Sequence, residues 1–145
     1  MIPEILATLA CGIFAGAALY INLVEQPARL SCGIHLAITE WRPSYKRGAV
    51  MQASLALAGS ILALISWWIG KDAVWLLGGA LLFAVIPFTL IVILPTNKEL
   101  ENEQLDVSSA RAELLLRRWN VLHAVRTALG LAAFVIFLYA LQRKS

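Results

Sequence analysis

Charge is what this sequence has least of. Asp, Glu, Lys and Arg make up only 14% of its 145 residues, against about 25% in an average soluble domain. Hydrophobic residues reach 60%, so a folded chain has too little polar surface to cover a core in water, and the soluble and disordered classes are both excluded. Basic runs and an aromatic platform pattern are also missing, so the net charge of +3 does not mark a nucleic-acid partner. The two cysteines, Cys11 and Cys32, form no CxxC pair, which sets aside disulfide scaffolds and quinone-linked disulfide oxidoreductases. At helical rise they stand about 30 Å apart, far beyond the roughly 7 Å Cα separation a bridge tolerates. Neither a P-loop nor GxGxxG is present, so there is no nucleotide signature. HxxxH and ExxH pairs are absent as well. A site assembled from His35, His123 and Glu25 would draw on three separated segments, and no metal is expected.

Long apolar sequence is what remains. Four stretches, residues 5–24, 48–69, 74–94 and 119–141, reach the roughly 20 residues that cross about 30 Å of hydrocarbon. They predict an all-α integral membrane protein, a four-transmembrane-helix bundle in a single domain over 1–145. The first stretch contains Thr8-Leu9-Ala10-Cys11, loosely like a lipoprotein cleavage site. No basic residues precede it, so it is read as a membrane helix and not as a cleaved signal. Lys71-Asp72 reads as a two-residue turn. Between spans 1 and 2, Leu30, Ile34, Ala37, Ile38 and Trp41 recur at helical spacing, with Arg29, His35, Thr39 and Arg42 on other faces; this predicts a short interfacial helix. The connector after span 3 opens with Glu99, Glu101, Glu103 and Asp106, a solvated surface. From about Ser108 the pattern is helical again, so span 4 is expected to begin outside the membrane.

Alternating spans put both long connectors on one face. That face holds Arg29, Arg42, Lys46, Arg47, Lys98, Arg111, Arg117 and Arg118, while the other has Lys71, Arg143 and Lys144. Eight cations against three place the connectors in the cytoplasm by the positive-inside rule. The expected location is the plasma (inner) membrane, with both termini extracytoplasmic.

The spans are not uniformly apolar. Small residues recur at three and four in span 1 (Ala7, Cys11, Ala15, Ala18) and span 2 (Ala56, Gly59, Ala63), as helix contacts in membranes require, and Gly12 and Gly16 add a GxxxG step. Pro87 predicts a kink in span 3. The larger polar residues gather at one end: Asn22 and Glu25 close span 1, Tyr45, Arg47 and Gln52 open span 2, Asn97 and Lys98 close span 3, and Trp119, Asn120, His123 and Arg126 open span 4. Convergence at one depth reads as a polar cup for a ligand. Arg126 lies about 10 Å deeper along its helix than Trp119. An arginine there costs about 3 kcal/mol or more unless paired or able to snorkel, and Glu25 is the expected partner.

Four motifs in order, Asn22-Leu23-Val24-Glu25-Gln26-Pro27-Ala28-Arg29, Trp41-Arg42-Pro43-Ser44-Tyr45-Lys46-Arg47-Gly48, Leu94-Pro95-Thr96-Asn97-Lys98-Glu99-Leu100 and Trp119-Asn120-Val121-Leu122-His123-Ala124-Val125-Arg126, make the chain resemble the anthrone oxygenase-like family. The likeness covers nearly the whole chain. Fungal members are linked to oxidation of polyketide anthrones to anthraquinones without a flavin or haem. The resemblance implies a membrane-embedded oxidation, by O2, of a flat lipophilic polyketide- or quinol-like molecule. Deprotonation of such a molecule gives an electron-rich enolate that reacts with oxygen, so no cofactor is expected.

In that chemistry His123, with an ordinary pKa of about 6.5, is the natural base. Arg126, Lys98 and Asn120 would stabilise the oxyanion, and Trp41 and Trp119 would stack on the rings. Glu25 either orients His123 or neutralises Arg126. The catalytic candidates are therefore His123, Arg126 and Glu25. The substrate-binding candidates are Asn22, Arg29, Trp41, Tyr45, Arg47, Gln52, Asn97, Lys98, Trp119 and Asn120. The expected partners are a lipophilic small molecule and the bilayer, with homo-oligomerisation left open. The alternative is a non-enzymatic protein that binds or transports a lipophilic molecule or supports a partner complex.

Overall fold

A computed structural model describes residues 1–143; Lys144, counted above among the cations, and Ser145 lie outside the described residues. Four helices there are long and apolar enough to cross a membrane: α1 (Ile2–Ser31), α2 (Ile34–Gly70), α3 (Ala73–Glu101) and α4 (Ala110–Gln142). No strand occurs among the described residues. Each helix packs on its neighbour in sequence and α4 closes onto α1, while the α2–α4 diagonal touches only slightly.

The turns follow from single residues. Between α1 and α2 the chain reverses at Cys32-Gly33, where Gly33 has φ +88°, a conformation that costs a side-chain-bearing residue dearly. Between α2 and α3, Lys71 adopts the left-handed conformation that ends α2, and the Asp72 carboxylate accepts the Val74 N–H at 3.1 Å to start α3. The Lys71 ammonium lies 4.1 Å from the centre of the Trp68 ring. Residues 102–109 form the longest non-helical connector within the described residues. Ser109 caps α4 by accepting the Ala112 N–H at 3.2 Å.

The expected interfacial helix is corrected here. Residues 34–47 are the first turns of a continuous 37-residue α2, because nothing after Gly33 breaks the helix: Pro43 lies within it. Ala37, Ile38 and Trp41 are buried against Ile93, Leu100, Ala112, Leu116 and Trp119, so the apolar stripe faces protein and not lipid headgroups. Arg42, expected at the interface, donates to the Leu100 and Asn102 carbonyls at 3.0 and 2.9 Å and so caps the end of α3.

Two stretches depart from α-helical bonding. Ile21–Glu25 in α1 and Thr89–Ile93 in α3 are π-helical, and each ends two residues before a proline, Pro27 and Pro95. A proline ring clashes with the carbonyl four residues back and supplies no N–H. A wider turn relieves that clash while keeping the remaining groups bonded, the usual accommodation in membranes. The α-helical geometry of α3 continues through Pro87, so the break lies later than the sequence suggested.

Two cores result. One is formed within the spans around Phe14, Trp75, Leu82 and Phe137; the other caps the connector end. In the first, the Phe14 ring lies where a Cβ on Gly130 would stand, 2.6 Å away, and Phe134 lies likewise 2.8 Å from a Cβ on Gly12. These reciprocal ring-on-glycine contacts hold α1 to α4. Gly16 has no neighbour within 4 Å of its would-be Cβ, so only one glycine of the expected GxxxG step is used.

Candidate functional site

A layer of polar side chains lies between the two cores. His123 is about 28 Å along α4 from Gln142 at 1.5 Å per residue, which sets this layer near the far edge of the hydrocarbon. The π-helical turn of α1 carries Asn22, whose side-chain N–H donates to the Asn120 backbone carbonyl at 3.1 Å and to Asn120 Oδ1 at 2.9 Å. A backbone carbonyl only accepts, so this contact fixes the orientation of the Asn22 amide. Its oxygen then faces Thr127 Oγ1 at 2.6 Å and His123 Nδ1 at 2.8 Å. His123 must donate from Nδ1, which leaves Nε2 as the unprotonated nitrogen. Neither Nε2 nor any other atom of the ring meets a carboxylate among the described residues.

Arg126, one turn deeper and 7% exposed, lies over the Phe14 ring, 5.6 Å from its centre, and donates from Nη2 to Gln52 Oε1 at 2.7 Å. That bond crosses the α2–α4 diagonal. Expected pairing with Glu25 is therefore corrected. Glu25 bonds Arg29, one helical turn on along α1, and accepts from Ser44 Oγ at 2.7 Å. Arg29 in turn holds Glu40 on α2 and donates to Gln26 Oε1 at 2.6 Å. The physical reason is proximity: Glu25 and Arg29 share one face of one helix, and Arg29 brings Glu40 as a second carboxylate. Nor does Glu25 orient His123; Asn22 does.

The residues expected to bind substrate divide into groups. Glu25, Arg29, Trp41, Tyr45, Gln52, Asn97, Trp119, His123 and Arg126 line a common cavity of about 30 Å3. Asn22 and Asn120 sit behind His123 and bond each other. Lys98 is exposed and does not line the cavity, so it cannot reach an oxyanion there. Arg47 is exposed on the wall of a neighbouring groove. His35 is exposed on α2, while His123 is buried, so the two do not meet.

Trp41 and Trp119 are not free to stack on a ligand. Trp41 lies flat on Tyr45 with centroids 4.8 Å apart, its edge meets Trp119 at 5.7 Å, and Trp119 lies against His123 at 4.8 Å. Tyr45 is held by Asn97, whose Nδ2 donates to its hydroxyl at 2.9 Å. Sequence reasoning does not single out Gln26, Glu40 or Ser44. Gln26 follows Asn22 by four residues and precedes Arg29 by three, a helical spacing that could have found it; Glu40 and Ser44 need the knowledge that α2 starts at Ile34.

Several buried polar atoms have no partner, among them Trp41 Nε1, Gln52 Nε2, Thr96 Oγ1, Asn97 Oδ1 and Arg126 Nε. All of these but Thr96 belong to residues lining the cavity. Buried polar groups are nearly always satisfied, so this concentration describes a site with hydrogen-bonding capacity in reserve.

A sequence model of the family described as "Anthrone oxygenase" matches residues 41–136. The chain is also similar to a protein named anthrone oxygenase from Claviceps purpurea (strain 20.1), with 26% identity over 143 residues, covering 88% of this chain and 82% of that one. No solved structure matches it.

Proposed function

Because the chain belongs to the anthrone oxygenase family, we propose that it oxidises a flat, enolisable aromatic ketone by O2 at the polar cup, with His123 as base and Arg126 as oxyanion partner. The observation that carries this reading is the fixed tautomer of His123: Asn22 holds Nδ1–H and leaves Nε2 as a proton acceptor on a residue that lines the same cavity as Arg126. His123 Nε2 takes a proton from the methylene carbon. Negative charge collects on the ketone oxygen, where Arg126 stabilises it in a water-poor site. The electron-rich carbon passes electrons to O2 and forms a C–O bond, and the protonated product is a hydroperoxide. Loss of water from it, with departure of the second methylene hydrogen, leaves a new C=O. One CH2 and one O2 thus become one C=O and one H2O, and the substrate supplies all the electrons.

The test is anthrone-dependent oxygen uptake by the purified protein. His123→Gln is expected to keep the fold and lower turnover about 100-fold or more, the usual size of a general-base contribution. A folded His123→Gln protein that oxidises an anthrone at the parental rate overturns the assignment. Arg126→Lys is expected to be milder than Arg126→Met, since lysine keeps the charge but loses the fork of donors.

A further inference from the structure

The cup is too small for the molecule it would act on. About 30 Å3 accommodates roughly two waters, or a molecule the size of dioxygen, whereas sites for drug-sized ligands run roughly 300–1,000 Å3. A three-ring ketone must lie outside and present one edge. Three surface grooves approach the polar layer. The one between α2 and α3 reaches Arg126 and Gln52 but measures about 170 Å3. A second, between α1 and the start of α2, has about 470 Å3 but ends on Glu25, Arg29 and Glu40, where the ion cluster closes it. The third, lower between α1 and α2, has about 550 Å3 and shares Ile21, Glu25, Ser44, Gly48 and Gln52 with the cup. Of these three grooves, this one combines size with access.

We propose that this α1–α2 groove is the ring-binding site, that the substrate enters it sideways from the bilayer, and that a substrate oxygen meets the free amide N–H of Gln52, which lines both groove and cup, over Gly48. This rests on the oxygenase reading. Three observations support it. Ala17, Tyr20 and Met51 give the groove an apolar side, while Glu40, Ser44 and Arg47 give it a polar one, a division that suits a polycycle with hydroxyls along one edge. Gly48 lies on the boundary between groove and cup, and a Cβ there would meet nothing within 4 Å. Unlike Gly12 and Gly130, it is therefore not needed for helix packing. Gln52 is 2% exposed, its Oε1 is occupied by Arg126, and its Nε2 has no acceptor; a substrate oxygen arriving over Gly48 supplies one.

The test fills the doorway. Gly48→Phe raises helix propensity and meets open space, so the fold is expected to survive. Met51→Trp narrows the same groove from its exposed side and serves should Gly48→Phe fail to fold. Ala80→Phe, in an apolar groove of about 300 Å3 between α2 and α3, is the bulk-matched control. Two readouts are taken in nanodiscs: anthrone-dependent O2 uptake, and binding of anthraquinone, which cannot be oxidised at the same carbon. Gly48→Phe and Met51→Trp are expected to lose kcat/KM by about 10-fold or more and to weaken anthraquinone binding, with Ala80→Phe unchanged in both. Folded Gly48→Phe or Met51→Trp protein with parental kcat/KM and binding overturns the groove assignment. A parental protein that binds anthraquinone in a Gly48-dependent way but consumes no O2 with an anthrone overturns the oxygenase reading and leaves the groove standing. Neither binding nor uptake overturns both.

Discussion

Asn22 and Gln52 each place a functional side chain by a single amide, and each makes a separable prediction. If Asn22 acts only through His123, Asn22→Leu lowers turnover about 10-fold or more in the parental protein, as loss of a tautomer-fixing partner does elsewhere. In a His123→Gln background it should cost nothing further; additive losses in that cycle would show Asn22 working by another route. Gln52 accepts from a buried guanidinium, and hydrogen bonds to charged groups contribute about 1.5–3 kcal/mol. Gln52→Leu is expected to lower stability by about that much in denaturant titrations in detergent. Arg126→Met in the same chain should recover part of the loss, because the unpaired charge goes with it. A double variant as unstable as the sum of the singles would exclude the pair. At this scale the sequence was informative about which residues gather and poor about who bonds whom. His123 and Arg126 announce themselves as polar groups in an apolar span. Whether Arg126 meets Glu25 or Gln52 depends on the α2–α4 diagonal, which no spacing within one helix reveals.

The helices carry the site because their small residues let large ones through. Gly130 admits the Phe14 ring, and that ring underlies the Arg126 guanidinium. Gly130→Ala would put a methyl about 2.6 Å from the ring. Overpacking of this kind costs about 1–3 kcal/mol, and it should be read as a lowered Tm together with reduced oxygen uptake, since Phe14 cannot move without disturbing Arg126. An unchanged Tm would show that the ring has room to yield. The spans themselves were legible, since apolar runs and the Ala56, Gly59 and Ala63 stripe follow directly from helical periodicity, and those residues are buried. The beginning of α2 was not. Residues 34–47 mix charge with apolar groups because they pack on protein on one side and meet solvent on the other, the same pattern a helix lying on a membrane would have. The π-helical turns were also invisible: Pro27 and Pro95 mark where a helix is stressed, but not how it yields.

As a whole the molecule is longer than a bilayer is thick. At 1.5 Å per residue α2 extends about 55 Å and α4 about 50 Å, and the surplus turns at the connector end build the second core over the polar layer. By positive-inside counting that cap is expected in the cytoplasm. In a Cys32→Ser background, Ser108→Cys is expected to resist a membrane-impermeant maleimide in intact cells and to react after permeabilisation; labelling from outside would invert the topology. The irregular connector 102–109 has a further consequence. Asn22 and Gln52 come before it and His123 and Arg126 after it, so the proposed base and its holder belong to opposite sides of one exposed loop, and their contacts owe nothing to the peptide bonds between. The protein should therefore tolerate being made in two pieces. Fragments 1–104 and 105–145, co-expressed, are expected to find each other through the ring-on-glycine contacts of α1 with α4 and to restore oxygen uptake that neither has alone, making catalysis here a property of assembly and not of chain continuity.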